Sequence, residues 1–330
     1  VTFKVTKIQK MNILVTGCAG FIGFHLTKKL LLGNKKVLGI DCINDYYSKS
    51  KKYQRLNIIK KTKNFKFLKI DLNDYKKTYE QLKKYKIDKV IHLAAQPGVR
   101  ISIKNPHNTL NQNLVSFLNI IEICRLKKVK KFIYASSSSI YGDSKIYPFN
   151  EKDFQNVPVS VYGATKLSNE IIAESYARNF KLKCVGLRFF TVYGPYGRPD
   201  MVYYSFLDNL KAKKSITVFN NGNMMRDFTY IDDVIDGIVS VIKTKFKNKN
   251  EILNIGKGKP DKLMDLINLL EKNYIQKFKI KFTKTVPLGD IKKTYANTSK
   301  AQKLINWKPK VNLDEGIKRF VNWYKLNNDE

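Results

Sequence analysis

Short apolar runs alternate with longer amphipathic stretches along the first 190 residues. The runs at 12–16, 36–40, 66–70, 88–93, 131–135 and 183–188 are too short for helices and read as buried strands. Between them, apolar positions recur at helical spacing near 21–32, 49–60, 73–85, 107–127 and 158–180. Strands separated by helices imply βαβ units, and hence a parallel sheet covered on both faces. Beyond about residue 188 the alternation becomes irregular. Strands are expected near 216–219, 252–255 and 279–283, and helices near 201–213, 231–243, 261–272 and 313–325. The fold class expected is α/β, a doubly wound parallel sheet with a smaller mixed α/β C-terminal domain. The first domain spans 11–188 with a returning segment near 229–256. The second takes 189–228 and 257–330. Residues 1–10 carry no clear pattern and read as an extension, with Met11 a candidate start.

Composition narrows the class. A chain of 330 residues, 43% hydrophobic, can bury a large core. No apolar run is long enough to span a membrane. No charged-then-apolar leader opens the chain. Cys18, Cys42, Cys124 and Cys184 are far apart, and His25, His92 and His107 do not cluster with them. Neither a disulfide framework nor a metal site is expected, which fits a reducing cytoplasm. The net charge of +35 raises the question of an anionic partner. Lysine, however, is scattered throughout, and arginine occurs only eight times; Arg100, Arg188, Arg198 and Arg226 lie in the motifs below. The excess reads as solvated surface, so neither nucleic acid nor membrane is expected as a partner. Such a surface still attracts an anionic substrate.

Candidate chemistry begins at Gly17-Cys18-Ala19-Gly20-Phe21-Ile22-Gly23, between the first strand and the first helix. The spacing is G-x-x-G-x-x-G. Glycines permit the tight turn and let backbone N–H groups approach a pyrophosphate at the helix N-terminus, as in a Rossmann-type domain. Asp41 ends the second strand, where a carboxylate suits an adenosine ribose and repels a 2′-phosphate. NAD is therefore expected rather than NADP. Asp71, followed by Leu72, stands where an adenine contact can form; equally, Asp71 or Asn73 can cap the next helix. Leu93, Ala94 and Ala95 close the fourth strand and allow close backbone approach, while His92 reads as structural.

Tyr162 and Lys166 lie four apart at the start of a helical pattern and so share a face. A cation beside a phenol stabilises the phenolate, making it a base for a sugar or alcohol hydroxyl. The spacing alone arises on any amphipathic helix; the glycine loop upstream is what gives it meaning.

Together, the glycine loop, Asp41, His92–Ala95, Ala135–Gly142, Tyr162–Lys166 and Arg226–Asp233 resemble the extended short-chain dehydrogenase/reductase family of nucleotide-sugar enzymes. The resemblance runs from about Met11 to Tyr324. It implies tightly held NAD, a C-terminal domain for a nucleotide diphosphate sugar, and transient oxidation of the sugar ring. Within the family, Gly39–Tyr47, Ala95–Arg100, Ala135–Gly142 and Leu187–Met201 are most similar to the UDP-glucuronate 4-epimerases of polysaccharide biosynthesis. Cys42 and Tyr196 depart from the Asn and Trp common there.

The serine segment bears on the reaction. Dehydratases and decarboxylases of the family carry acidic groups where Ser138 and Ser139 stand here. Hydroxyls bind a carboxylate but do not serve as strong acids or bases, so epimerisation is expected and elimination is not. The resemblance implies Tyr162 as base, Lys166 as its cation and Ser137 as hydrogen-bond partner of the reacting oxygen. It puts Ser138, Ser139 and Thr191 at the sugar carboxylate, Arg226 and Asp290 at the UDP, and Arg198 on the substrate side. The substrate expected is a UDP-sugar, UDP-glucuronate first and another UDP-hexose second, with a UDP-glucuronate decarboxylase or sugar 4,6-dehydratase as the alternative reaction. The assembly expected is a homodimer.

Overall fold

A computed structural model describes residues 9–153 and 157–328. Six strands follow the expected order: β1 (Gln9–Thr16), β2 (Val37–Asp41), β3 (Phe65–Lys69), β4 (Tyr85–His92), β5 (Lys131–Ser137) and β6 (Cys184–Phe189). With Asn250–Ile255 they form one seven-stranded sheet, in which β3, β2, β1, β4, β5, β6 and Asn250–Ile255 lie side by side in that order. The pairs β1–β2, β2–β3, β1–β4 and β4–β5 are parallel. Strand order reverses between β1 and β4, and such a switch point leaves a crevice at the strands' C-terminal ends. β6 is buried along its whole length, as a strand covered on both faces must be. β3, at the edge, turns Lys66 and Lys69 to solvent, which blunts an open edge.

The sequence reading placed residues 1–10 outside the fold. Gln9 and Lys10 instead extend β1 and pair with Tyr85 and Lys86; residues 1–8 lie outside the described residues. The single helix expected over 107–127 is built as Pro106–Leu110, a π-turn at Asn111–Val115, and Ser116–Leu126, and a further short helix, Val99–Lys104, precedes it. Asn105 caps Pro106–Leu110 through the Asn108 amide, and Pro106 opens it.

The chain divides into two compact units. The first holds 9–136, 164–187 and 245–252; the second holds the described residues of 137–163, 188–244 and 253–328. Of the residues that the sequence reading gives to the first domain, 137–163, 188, 229–244 and 253–256 group with the second. The helix Ile231–Lys243 explains part of this, since Trp307 donates from its indole to the Asp233 carbonyl within that helix. The first unit's core packs Phe117, Ile120 and Ile121 against Val90, Phe132 and Tyr134. The second unit has only short ladders. Thr191–Tyr193 pairs with Phe228–Tyr230, Ile216–Val218 with Ile280–Phe282, and Met225–Arg226 with Asp261–Lys262. Its core is aromatic, with Tyr203 edge-on to Phe320 at 4.8 Å and Tyr204 edge-on to Tyr324 at 5.5 Å.

Candidate active site

The glycine loop lies at the switch point of the first unit. Gly17 has φ +69°, and a Cβ there would stand 2.8 Å from the Ala94 amide nitrogen at the end of β4. A Cβ on Gly23 would stand 2.0 Å from the Gly17 carbonyl. These two glycines are demanded by packing. Gly20 is different: at φ −73°, ψ 173° it caps the helix Phe21–Leu32 in a conformation open to any residue, and a Cβ would crowd only the Gly17 carbonyl, at 3.1 Å. Glycine at 20 keeps clear the space before the helix. The first-turn amides of Phe21, Ile22 and Gly23 have no partner within the helix. This cradle suits a dinucleotide pyrophosphate.

Asp41 is half-buried beside the loop. Its Oδ2 accepts from the Ala19 amide at 3.1 Å and its Oδ1 from the Ile43 amide at 2.9 Å, leaving further lone pairs for ribose hydroxyls. Neither sequence alternative for a helix cap at Asp71 or Asn73 describes the structure. Asp74 caps Tyr75–Leu82 through the Lys77 amide, and exposed Asp71 accepts from the Asn73 amide in a local turn. Leu72 is buried, its carbonyl held by Asn119. Ala94 donates its amide to Thr16 Oγ1 at 3.2 Å, which draws the end of β4 to the end of β1; Leu93 and Ala95 flank it. His92 is a core residue: its Nδ1 lies 2.8 Å from Thr16 Oγ1, and its ring packs on Phe117 and Phe132. Burial, with the Lys166 charge adding to it, pushes its pKa down to about 3, so it is neutral.

Sequence reasoning missed Asn113. Turned inward by the π-turn, its Oδ1 accepts from the Gln96 amide at 2.7 Å, and its Nδ2 donates to the Gln96 carbonyl and Thr165 Oγ1. It ties the loop after β4 to the residue preceding Lys166. A π-turn leaves no periodic trace; the break at Pro106 was the available signal.

The helix Val161–Phe180 carries both members of the Tyr-Lys pair. Lys166 belongs to the first unit, where it is buried and donates to the Ala135 carbonyl at 3.1 Å. Burial pushes its ammonium down to about 8. Tyr162 belongs to the second unit. There Ser137 ends β5 and begins a 3₁₀ turn, its Oγ accepting from the Ser139 amide at 3.1 Å. A Cβ on Gly163 would lie 2.6 Å from the Ser139 carbonyl, so the helix start can rest on the serine turn only as glycine. This puts Tyr162 in hydrogen-bond contact with Ser137. Burial raises the phenol's pKa, while the Ser137 bond and then the Arg198 charge pull it down.

Arg198 also forks onto Asp200, at 3.0 and 2.6 Å. Ser138 and Ser139 are half-buried, as is Thr191, whose amide donates to the Asp227 carbonyl. Arg226 reaches the Met225 carbonyl at 2.9 Å and that of Lys292 at 3.3 Å. The Asp290 amide bonds the Pro287 carbonyl. The second unit thus joins Ser137, Ser139 and Tyr162 directly and sets the Arg198 charge where it acts on the phenol, while Thr191, Arg226 and Asp290 sit on separate segments of it.

Residues 13–256 match the model of the NAD dependent epimerase/dehydratase family. The chain is 49% identical to an uncharacterised protein of Methanocaldococcus jannaschii, over 96% of this chain and 97% of that one. It is 42% identical to a UDP-glucuronate 4-epimerase of Thermodesulfobacterium geofontis, over 95% and 96%. Among solved structures it is similar to the UDP-glucuronic acid 4-epimerase of Bacillus cereus in complex with UDP-glucuronic acid and NAD. That likeness has a TM-score of 0.88 at 37% identity and covers 96% of this chain and 99% of the other.

Proposed function

The chain belongs to the NAD-dependent epimerase/dehydratase family, with NAD as its cofactor, and from that premise we propose that it interconverts UDP-glucuronate and UDP-galacturonate. One observation supports this reading most. Tyr162 bonds to Ser137 in a turn whose next two residues are hydroxyls, Ser138 and Ser139, rather than the carboxylates an elimination needs.

The cradle of Gly17, Gly20, Phe21, Ile22 and Gly23 would hold the pyrophosphate, with Asp41 at the ribose. When bound, NAD supplies a reversible acceptor for the hydrogen leaving sugar C4. Tyr162, as phenolate, takes the proton of the 4-hydroxyl. Ser137 bonds the same oxygen as its charge develops. Arg198 and Lys166 supply positive charge on the base's side, lowering the cost of the phenolate. Ser138, Ser139 and Thr191 offer hydroxyls to the uronate carboxylate. Arg226 and Asp290 grip the nucleotide, so that binding energy comes from the UDP and the sugar stays free to turn. Once the hydrogen has come back to the opposite face of C4, Tyr162 returns its proton, and no net redox change remains.

The test is incubation with UDP-glucuronate and a panel of neutral UDP-hexoses, with no added NAD⁺. Both uronate epimers should form, without release of CO₂ or water. A UDP-pentose or a 4-keto-6-deoxy sugar as product would overturn the reading. Turnover of neutral hexoses alone would remove the carboxylate assignment and keep the epimerase.

A homodimer belongs to the same proposal. In the first unit the helix Ser116–Leu126 and residues 164–180 lie together, with Tyr176 donating to Glu122. They and the adjoining π-turn expose Ile171 at 63%, Leu118 at 46% and Val115 at 41%. A second copy would cover that face. Leu118→Glu with Ile171→Glu should halve the mass seen by light scattering. No helix among the described residues is long and apolar enough to cross a membrane. A cytoplasmic enzyme supplying uronate units for polysaccharide is the setting this reading fits.

A further inference from the structure

Asn44-Asp45-Tyr46-Tyr47 follows β2 at the end of the Gly39–Tyr47 stretch and has no part in the proton transfer. In the structure it is fastened to both banks of the switch-point crevice. On one bank stands Ala19, in the middle of the glycine loop and fully buried. Its amide donates to Asp41, and its carbonyl accepts from Arg55 Nη1 at 3.1 Å. Two side chains of opposite charge therefore hold one loop residue at both ends. Arg55 comes from the helix Lys49–Lys60 and is 1% exposed. Its Nη1 also donates to Tyr47 Oη at 2.6 Å, and its guanidinium lies 5.4 Å from the centre of the Tyr47 ring. Lys52 covers the same ring at 4.8 Å and donates to the Asn44 carbonyl at 2.8 Å. On the other bank, Tyr46 packs edge-on to Tyr47 at 5.8 Å. Its hydroxyl lies 2.9 Å from where a Cβ on Gly98 would stand, in the loop after β4.

A buried guanidinium is expensive as mere packing, because it must be desolvated. Leu56 and Ile59 already supply the apolar face of that helix. What Arg55 adds is specific. It fixes the peptide that precedes Gly20, and it places a permanent positive charge behind a loop built to receive an anion. An enzyme that returns its dinucleotide to the starting oxidation state at every turnover has no need to exchange it. Preorganisation of the loop lengthens residence, since less ordering is required on binding.

We propose that Arg55, held by Tyr47, is the positioning residue that makes the bound dinucleotide non-exchanging, by locking the Ala19 carbonyl and setting the glycine loop before the cofactor arrives. The inference rests on NAD as cofactor and not on the identity of the sugar. Its test therefore contains no sugar.

Purified wild type, Arg55→Met, Arg55→Lys and Tyr47→Phe are assayed for NAD(H) per chain after denaturation. Exchange of bound NAD against isotopically labelled NAD is followed by mass spectrometry. Arg55→Met should exchange roughly tenfold to a hundredfold faster, the range expected for losing a hydrogen bond to a charged group. Arg55→Lys keeps the charge but not the fork and should fall between Met and wild type. Tyr47→Phe should speed exchange by about threefold or more. Added NAD should restore full NAD content in each. Exchange within about twofold of wild type in every soluble variant, with a lower unfolding temperature in saturating NAD, would overturn the proposal and leave Arg55 a packing residue. Should Arg55→Met fail to fold, Arg55→Lys and Tyr47→Phe decide the matter on the same readouts.

Discussion

In the first unit, backbone amides find partners on the next strand: β1 runs in register with β2 from Ile13 to Thr16, and with β4 along nearly its whole length. In the second unit the two-stranded ladders are no longer than three residues, and buried acids take up amides instead. The Asp227 carboxylate, fully buried, accepts from the amides of Lys257, Gly258 and Ala296 and from the Thr229 hydroxyl. Asp233 accepts from the amides of Lys310 and Val311, Glu151 from that of Asn254, and Glu271 from that of Phe278. Burial raises the pKa of Asp227 and Asp233, and the amide bonds work against it. A sheet spreads its bonds over many residues, whereas a carboxylate gathers several on one side chain. The second unit should therefore be fragile at single positions where the first is tolerant.

The largest effect expected is on activity. Tyr162→Phe removes the base and keeps the ring, and turnover should fall by ~10²–10⁴-fold. Unfolding of both units should stay close to wild type. Near-normal turnover would remove Tyr162 from the chemistry.

Asp227→Asn comes next. It replaces an acceptor with a donor facing three amides, and should cost the second unit at least about 3 kcal/mol. Both tryptophans, Trp307 and Trp323, belong to the second unit, so their fluorescence reports it directly. The fluorescence transition in denaturant should move to lower concentration. If it does not, the contrast between the two units is wrong.

His92 gives the first unit its own sensitivity, to acid. Folded, it stays neutral down to about pH 3; unfolded, it takes a proton below about 6.5. The unfolded chain therefore binds more protons in that window, and stability falls as pH drops through it. The slope is about 1.4 kcal/mol per pH unit, or roughly 2 kcal/mol lost by pH 5. His92→Asn keeps an acceptor toward Thr16 and should flatten that slope in denaturant titrations at pH 7, 6 and 5. An unchanged slope would mean that the His92 ring gains access to water before the unit opens.

The smallest effect on stability is expected at Gly20. Gly20→Ala meets only the Gly17 carbonyl and should cost less than about 1 kcal/mol. NAD retention should still fall, because the methyl enters the cradle. Normal NAD content in this variant would place the pyrophosphate elsewhere.

Much of the first unit was legible because it obeys local rules. Strands buried on both faces leave uninterrupted apolar runs, and a βα turn that receives a phosphate leaves glycines at set spacing. The second unit followed no such period. Thr191–Tyr193, Met225–Arg226 and Phe228–Tyr230 are too short to rise above composition, and the segment 137–163 sits between first-unit elements in the chain yet packs with the second unit.

The sequence by itself determined the sheet, the glycine loop, Asp41 and the Tyr162–Lys166 spacing, because each is written in residues a few positions apart. It took the packing of distant elements to turn Asn113 inward to Gln96, to set Arg55 on Ala19, and to gather amides from two other segments on Asp227. Those contacts join residues from 17 to 69 positions apart. A bond between a polar side chain and a distant backbone has no periodicity, and its partner is chosen by how the elements pack.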